Sequence, residues 1–174
     1  MVVSNNSGRG GAAPARRTFG ERITAVNTRF PHWFSVNHRR YNGAEAELPV
    51  GHHMLLALIA PRPLYAADAT EDLWADPHGE FLAARHARRV HRFLGETGLR
   101  DSEPQTAPGP HAPEPRTEDV AQPGFPAPDT PLTGGRIGYH LRSGAHDITP
   151  YDWDRYLDFA DRDLLAPRAS GTTP

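Results

Sequence analysis

The sequence predicts an α/β layer structure on a small, incomplete parallel sheet, and three observations carry that prediction. Short apolar strand candidates alternate with amphipathic helices, the order that parallel pairing requires. Only three strands are visible in 174 residues, a small sheet for so long a chain, so either more strands are hidden or the chain is the end of a larger domain. Nine of the eighteen prolines fall between Asp101 and Thr133, so irregular composition is confined to one stretch.

The elements follow in order. Met1 to Asn6 is a β-branched strand running into the Gly-rich loop Ser7-Gly8-Arg9-Gly10-Gly11. Phe19, Ile23, Val26 and Phe30 recur at spacings of 4, 3 and 4, one face of a helix. His52 to Ile59 reads as a short buried helix stopped by Pro61 and Pro63. Leu64 to Ala67 is a strand, and the acidic loop Asp68 to Pro77 follows it. Gly79 to Leu94 is a helix with Phe81, Ala84, Ala87, Val90 and Leu94 inward, beside Arg85, Arg88, Arg89 and Arg92 as a solvated face with Glu80. Arg136 to Leu141 alternates like a strand and ends in Arg142-Ser143-Gly144-Ala145-His146-Asp147. The last helix has Thr149 at its N-cap, Pro150 at its first position and Asp152 three residues after the cap. Its expected apolar stripe is Trp153, Leu157, Ala160 and Leu164. The chain thus divides into a central segment 1–98, a disordered Pro-rich insertion 99–134, a His-bearing unit 135–166 and a disordered tail 167–174.

Composition removes several function classes. A formal charge of −2, with every basic residue an arginine, argues against a nucleic-acid partner. Cysteine is absent, so disulfides, thiolate nucleophiles and Cys-ligated metals are excluded. The longest apolar run, Met54 to Ala60, is too short to span a bilayer, and the first residues show no signal-peptide pattern. His32, His38, His52 and His53 invite a metal reading, but adjacent helical histidines diverge by about 100°, so no metal and no cofactor is expected. Trp33 fits either the core or a surface.

One arrangement carries chemistry. An acidic loop follows one strand and a Gly-flanked His follows the next, with a helix after each. Hydrolytic triads of α/β-hydrolases run in chain order Ser, Asp or Glu, then His, each on a loop after a strand. His146 fits the base that takes a proton from a nucleophile, and Asp72 fits the carboxylate that holds its other N–H. Asp76 and Asp147 are the fallback acids. No G-x-S-x-G elbow occurs, and Ser7 and Ser143 lack the strand–Ser–helix context.

Several blocks are long and unusual in composition: Asn6 to Ala13, Asn27 to Phe34, His53 to Pro63, Glu71 to Pro77, and Tyr151-Asp152-Trp153 through Asp161. They closely resemble the bacterial glucuronoyl esterases. The resemblance implies the carboxyl-terminal portion of an α/β-hydrolase fold and a serine esterase cleaving glucuronic acid esters between xylan and lignin. It implies His146 as base, Asp72 as triad acid, Trp74 as the aromatic packed on the sugar and Glu21 as a carboxylate bonded to sugar hydroxyls. Some relatives carry a triad Glu where this chain has Asn6, which leaves the acid role to Asp72. It further implies a glucuronoxylan or glucuronate ester substrate, a monomer when full length, and a secreted or periplasmic location. The family's Ser-Arg nucleophile motif is absent, so the chain reads as a truncated form. The competing reading is a non-catalytic remnant that keeps carbohydrate binding. Arg9 stands where relatives often have a small residue or Cys, and either narrows the cleft or leaves it unchanged.

Overall fold

The computed structural model describes residues 1–101 and 124–165. The tail, and the interior of the expected insertion, lie outside them. Three strands, β1 (Val2–Asn5), β2 (Leu64–Ala69) and β3 (Ile137–Arg142), form one sheet in the order β1-β2-β3. Both pairings are parallel, with Val2 opposite Leu64 and Leu64 opposite Ile137. β2 and β3 are buried throughout, while Val2 and Val3 on the edge strand stay partly exposed. The helices are α1 (Ile23–Arg29), α2 (His52–Ala57), α3 (Pro77–Phe93) and α4 (Pro150–Ala160), the last running into a π turn at Asp161–Leu165.

Side chains alternate across the sheet, as strand geometry requires. Leu64, Ala66, Ile137, Tyr139 and Leu141 pack with Phe81, Leu82, Ala84 and Ala87 of α3 on one face. Tyr65 and Ala67 pack with Tyr156 and Phe159 of α4 on the other. A Cβ at Gly138 would stand 2.6 Å from the Tyr65 ring and 2.8 Å from Phe159, so glycine is what lets α4 seat on β3.

Several expectations are corrected. The first helix starts at Ile23 rather than Phe19, and Phe19 is exposed. α2 is not buried: Leu56 turns inward while Met54, Leu55 and Leu58 face out. On α3, Val90 and Leu94 are exposed, whereas Glu80, Arg85 and Arg88 are buried. Arg85 and Arg88 are not a solvated face because Asp101, just past the helix, pairs with both at 3.1 and 2.9 Å. The stripe assigned to α4 is also displaced. Asp152, Tyr156 and Phe159 are buried, while Trp153, Leu157 and Leu164 are exposed. The cap itself forms: Thr149 donates its backbone N–H to Asp152 Oδ2 at 2.6 Å. The described ends of the insertion are packed rather than loose. Leu99 is fully buried, Phe125 and Leu132 lie against the core, and Leu132 bridges Tyr139 antiparallel.

Candidate active site

All three strands end on the same side of the sheet, where parallel α/β structures gather their functional loops. The acid loop and the His loop continue the β2–β3 ladder. Thr70 N–H donates to the Arg142 carbonyl and Glu71 N–H to the Gly144 carbonyl, each at 2.9 Å. Those two bonds set Asp72 opposite His146 although 74 positions separate them. His146 Nδ1–H donates to Asp72 Oδ2 at 2.6 Å, within the short range of charge-assisted bonds. Asp72 is nearly buried, while the His146 side chain is 67% exposed. Nε2 therefore faces outward, where a proton can be exchanged.

The His loop owes its shape to two groups the sequence reading missed. Buried Arg142 donates to the carbonyls of Ser143, Ala145 and Asp147 at 3.0, 2.9 and 3.2 Å. Arg142 is fixed in turn by Asp152 at 3.0 Å, the same residue that caps α4. Burial pushes the Asp152 carboxyl up, but hydrogen bonds from Thr149 and His140 outweigh it and hold the group below its ordinary value. Burial keeps His140 low and neutral, so it donates Nε2–H to Asp152 at 2.8 Å and accepts the Tyr65 hydroxyl at Nδ1.

The second half of the site lies two residues past Asp72. Trp74 is 54% exposed, and its indole Nε1–H donates to Glu21 Oε1 at 3.0 Å. Glu21 N–H donates to the Trp74 carbonyl at 2.8 Å, which clips the two segments together. Gly20 permits the approach: at φ 64° its missing Cβ would stand 2.5 Å from the Trp74 carbonyl oxygen. Beneath them, buried Glu80 accepts Gly8 N–H at 2.5 Å and the Ser7 hydroxyl at 3.0 Å. Burial raises the Glu80 carboxyl to about 8 and raises neighbouring Asp68 in the same direction. Asp68 was expected at the start of the acid loop, but it lies within β2, one residue before its end, buried in the core.

The other candidates fall elsewhere. Asp76 is committed to Arg17 at 2.9 Å and to the N-cap of α3, accepting Gly79 N–H at 3.0 Å. Asp147 turns its carboxylate to its neighbour Ile148, while its carbonyl accepts from Asn6 at 3.0 Å. Ser143 donates to Asp129 at 2.6 Å and Ser7 to Glu80, so neither hydroxyl is bonded to His146. Trp33 is exposed and stacks on Phe30 with ring centres 4.0 Å apart. Of the histidines, His38 stacks on Phe34, His53 lies beside His86, and burial lowers His52 to about 4. Among the described residues, no group of three or more His, Asp or Glu could hold a metal ion.

A parallel sheet whose strand-end loops pair a histidine with a carboxylate defines part of an α/β hydrolase. More narrowly, the chain belongs to the glucuronoyl esterase family, whose model, described as glucuronyl esterase of fungi, matches residues 1–95. It is 48% identical over 164 residues, 94% of this chain and 33% of the relative, to the carbohydrate esterase MZ0003 of an unidentified prokaryote. A promiscuous CE15 esterase from a marine bacterial metagenome superposes with TM-score 0.78 at 46% identity, over 94% of this chain and 36% of its own. A glucuronoyl esterase from Solibacter usitatus superposes with TM-score 0.74 at 44% identity, over 93% and 36%. The chain therefore spans about a third of the length of these relatives.

Proposed function

We propose that these residues form the proton-transfer and sugar-facing half of a site that hydrolyses glucuronic acid esters, such as those joining xylan to lignin. The observation that carries the reading is the 2.6 Å bond from His146 Nδ1 to buried Asp72. With Nδ1–H held there, Nε2 takes the proton of a serine hydroxyl as it attacks the ester carbonyl. The imidazolium, stabilised by Asp72, then returns that proton to the departing alcohol. Water releases the acyl group by the same steps in reverse. Trp74 offers an aromatic face to the C–H surface of the sugar, and Glu21 offers carboxylate lone pairs to its hydroxyls. The serine is supplied from outside these 174 residues, and the substrate, a plant-derived polymer, places the site outside the cytoplasm.

The test is a chimera in which this chain replaces the corresponding third of the Solibacter usitatus esterase. Release of methanol from methyl glucuronate is expected. Asp72→Asn should lower turnover by about 10⁴ and His146→Ala by about 10⁶. A folded chimera whose rate survives His146→Ala would overturn the reading. The engagement of both Ser7 and Ser143 away from His146 favours a second reading, a carbohydrate-binding remnant. Sugar binding by a folded chimera that releases no methanol would select that alternative.

A further inference from the structure

Sequence leaves open whether Arg9 narrows the cleft. Its side chain is only 1% exposed, so it lines nothing. Instead its Nε–H donates to the Glu21 carbonyl at 2.6 Å, and Nη2 donates to the Phe19 carbonyl at 2.7 Å and to the Arg17 carbonyl. One guanidinium thus fixes three alternate carbonyls in a stretch without regular secondary structure. Its backbone N–H reaches the same target by another route, donating to Glu21 Oε2 at 2.9 Å.

We propose that Arg9 is a positioning residue for sugar recognition: it sets the Glu21 carboxylate, and through it the Trp74 indole, before a glucuronate ligand arrives. The inference rests on the reading of Glu21 and Trp74 as sugar-contact groups. Each Glu21 oxygen has a fixed donor, Arg9 N–H on Oε2 and Trp74 Nε1–H on Oε1. Lone pairs remain on both for hydroxyls. The carboxylate has little room to turn, since a Cβ at Gly8 would stand 2.7 Å from Oε2.

The electrostatics point the same way. Among the described residues no carboxylate hydrogen-bonds the Arg9 guanidinium, and its Nη1 is buried without a hydrogen-bond partner. Burial lowers the group to about 10, with Asp76 and Glu21 as the opposing attractions, so it stays cationic at neutral pH. Burying a cation on carbonyls alone is costly, and an apolar side chain would fill the volume without that cost. What methionine cannot do is hold three carbonyls and orient Glu21, which is the preorganisation a binding wall needs.

The experiment compares wild type with Arg9→Met and Arg9→Lys. The Trp74 indole N–H resonance, assigned by its loss in Trp74→Phe, reports the Glu21 contact directly. Methyl glucuronate titration reports affinity, with an undecorated xylo-oligosaccharide as control. Arg9→Met should move or broaden the indole resonance and weaken methyl glucuronate about tenfold, leaving the control unchanged. Arg9→Lys should do the same in smaller measure, since one ammonium cannot span three carbonyls, and it carries the test if Arg9→Met does not fold. A lowered thermal midpoint with an unmoved indole and affinity within about twofold would make Arg9 merely structural and overturn the proposal. If wild type does not bind methyl glucuronate, the reading of Glu21 and Trp74 fails, and the indole resonance still decides whether Arg9 sets their contact.

Discussion

The loop that carries His146 and the stretch that carries Glu21 are each gathered onto alternate carbonyls by one buried arginine. Arg142 takes Ser143, Ala145 and Asp147, and Arg9 takes Arg17, Phe19 and Glu21. The anchoring differs. Arg142 is paired with Asp152, which also caps α4 and accepts from His140, so the His loop is tied into the sheet and a helix together. Among the described residues no carboxylate hydrogen-bonds the Arg9 guanidinium, and the Gly-rich loop under it rests on Glu80, a group that burial drives toward neutrality. One device thus yields a His146 loop locked by paired charge and a Glu21–Trp74 wall whose support depends on protonation.

The comparison is broken most severely from the Arg142 side. Arg142→Ala leaves the buried Asp152 carboxylate without its cation, bonded only by Thr149 and His140, and frees three carbonyls, and should cost about 3 kcal/mol in urea unfolding. A loss under 1 kcal/mol would mean that the Asp152 anchor is not what holds the loop. Arg9→Ala should cost less, about 2 kcal/mol, because no carboxylate is left buried without its partner. A loss equal to that of Arg142→Ala would erase the distinction.

Changing pH separates the two regions without mutation. Burial raises Glu80 from 4.5 to about 8, so the folded chain keeps a proton that the unfolded chain has released between those values. Stability attributable to it therefore falls as pH rises, and Asp68 adds to the same slope. His52 and His86, both lowered by burial from 6.5 to about 4, act oppositely, but only below 6.5. From pH 6.5 to 8 stability should drop by about 1–2 kcal/mol, and Glu80→Gln should reduce that slope. An unchanged slope would show that Glu80 is ionised in the fold. Asp152 is held below 3.8, so its contribution is present above that value and lost only as pH falls through it. The His loop should be indifferent across the window. The smallest effect is Ser143→Ala, which removes an exposed bond to Asp129 and should shift stability by no more than about 0.5 kcal/mol.

The element order, the parallel pairing and the loops holding Asp72 and His146 were legible because strand–loop–helix punctuation is local. The cap at Thr149 and Asp152 was legible for the same reason. The α4 stripe was not. Trp153, Leu157 and Leu164 have helical spacing, but the Tyr65 ring on β2 selects the Tyr156–Phe159 side, and that partner lies far away in the sequence. Arg85, Arg88 and Glu80 look like surface charge until Asp101 and the Gly8 loop meet them. Asp152 was placed in its helix, but Arg142 was put in the loop past the strand that it in fact closes, without any sign that the two pair. Sequence displays a charge readily, and the burial of its partner hardly at all.

Asp101 and Gly124 lie side by side, since a Cβ at Gly124 would stand only 3.2 Å from the Asp101 Cβ. The separation of Asp72 and His146 is measured instead by the rungs between Thr70 and Arg142 and between Glu71 and Gly144. The reach of the imidazole is thus set by those two rungs rather than by the length of chain between the two loops. The ladder works as the ruler.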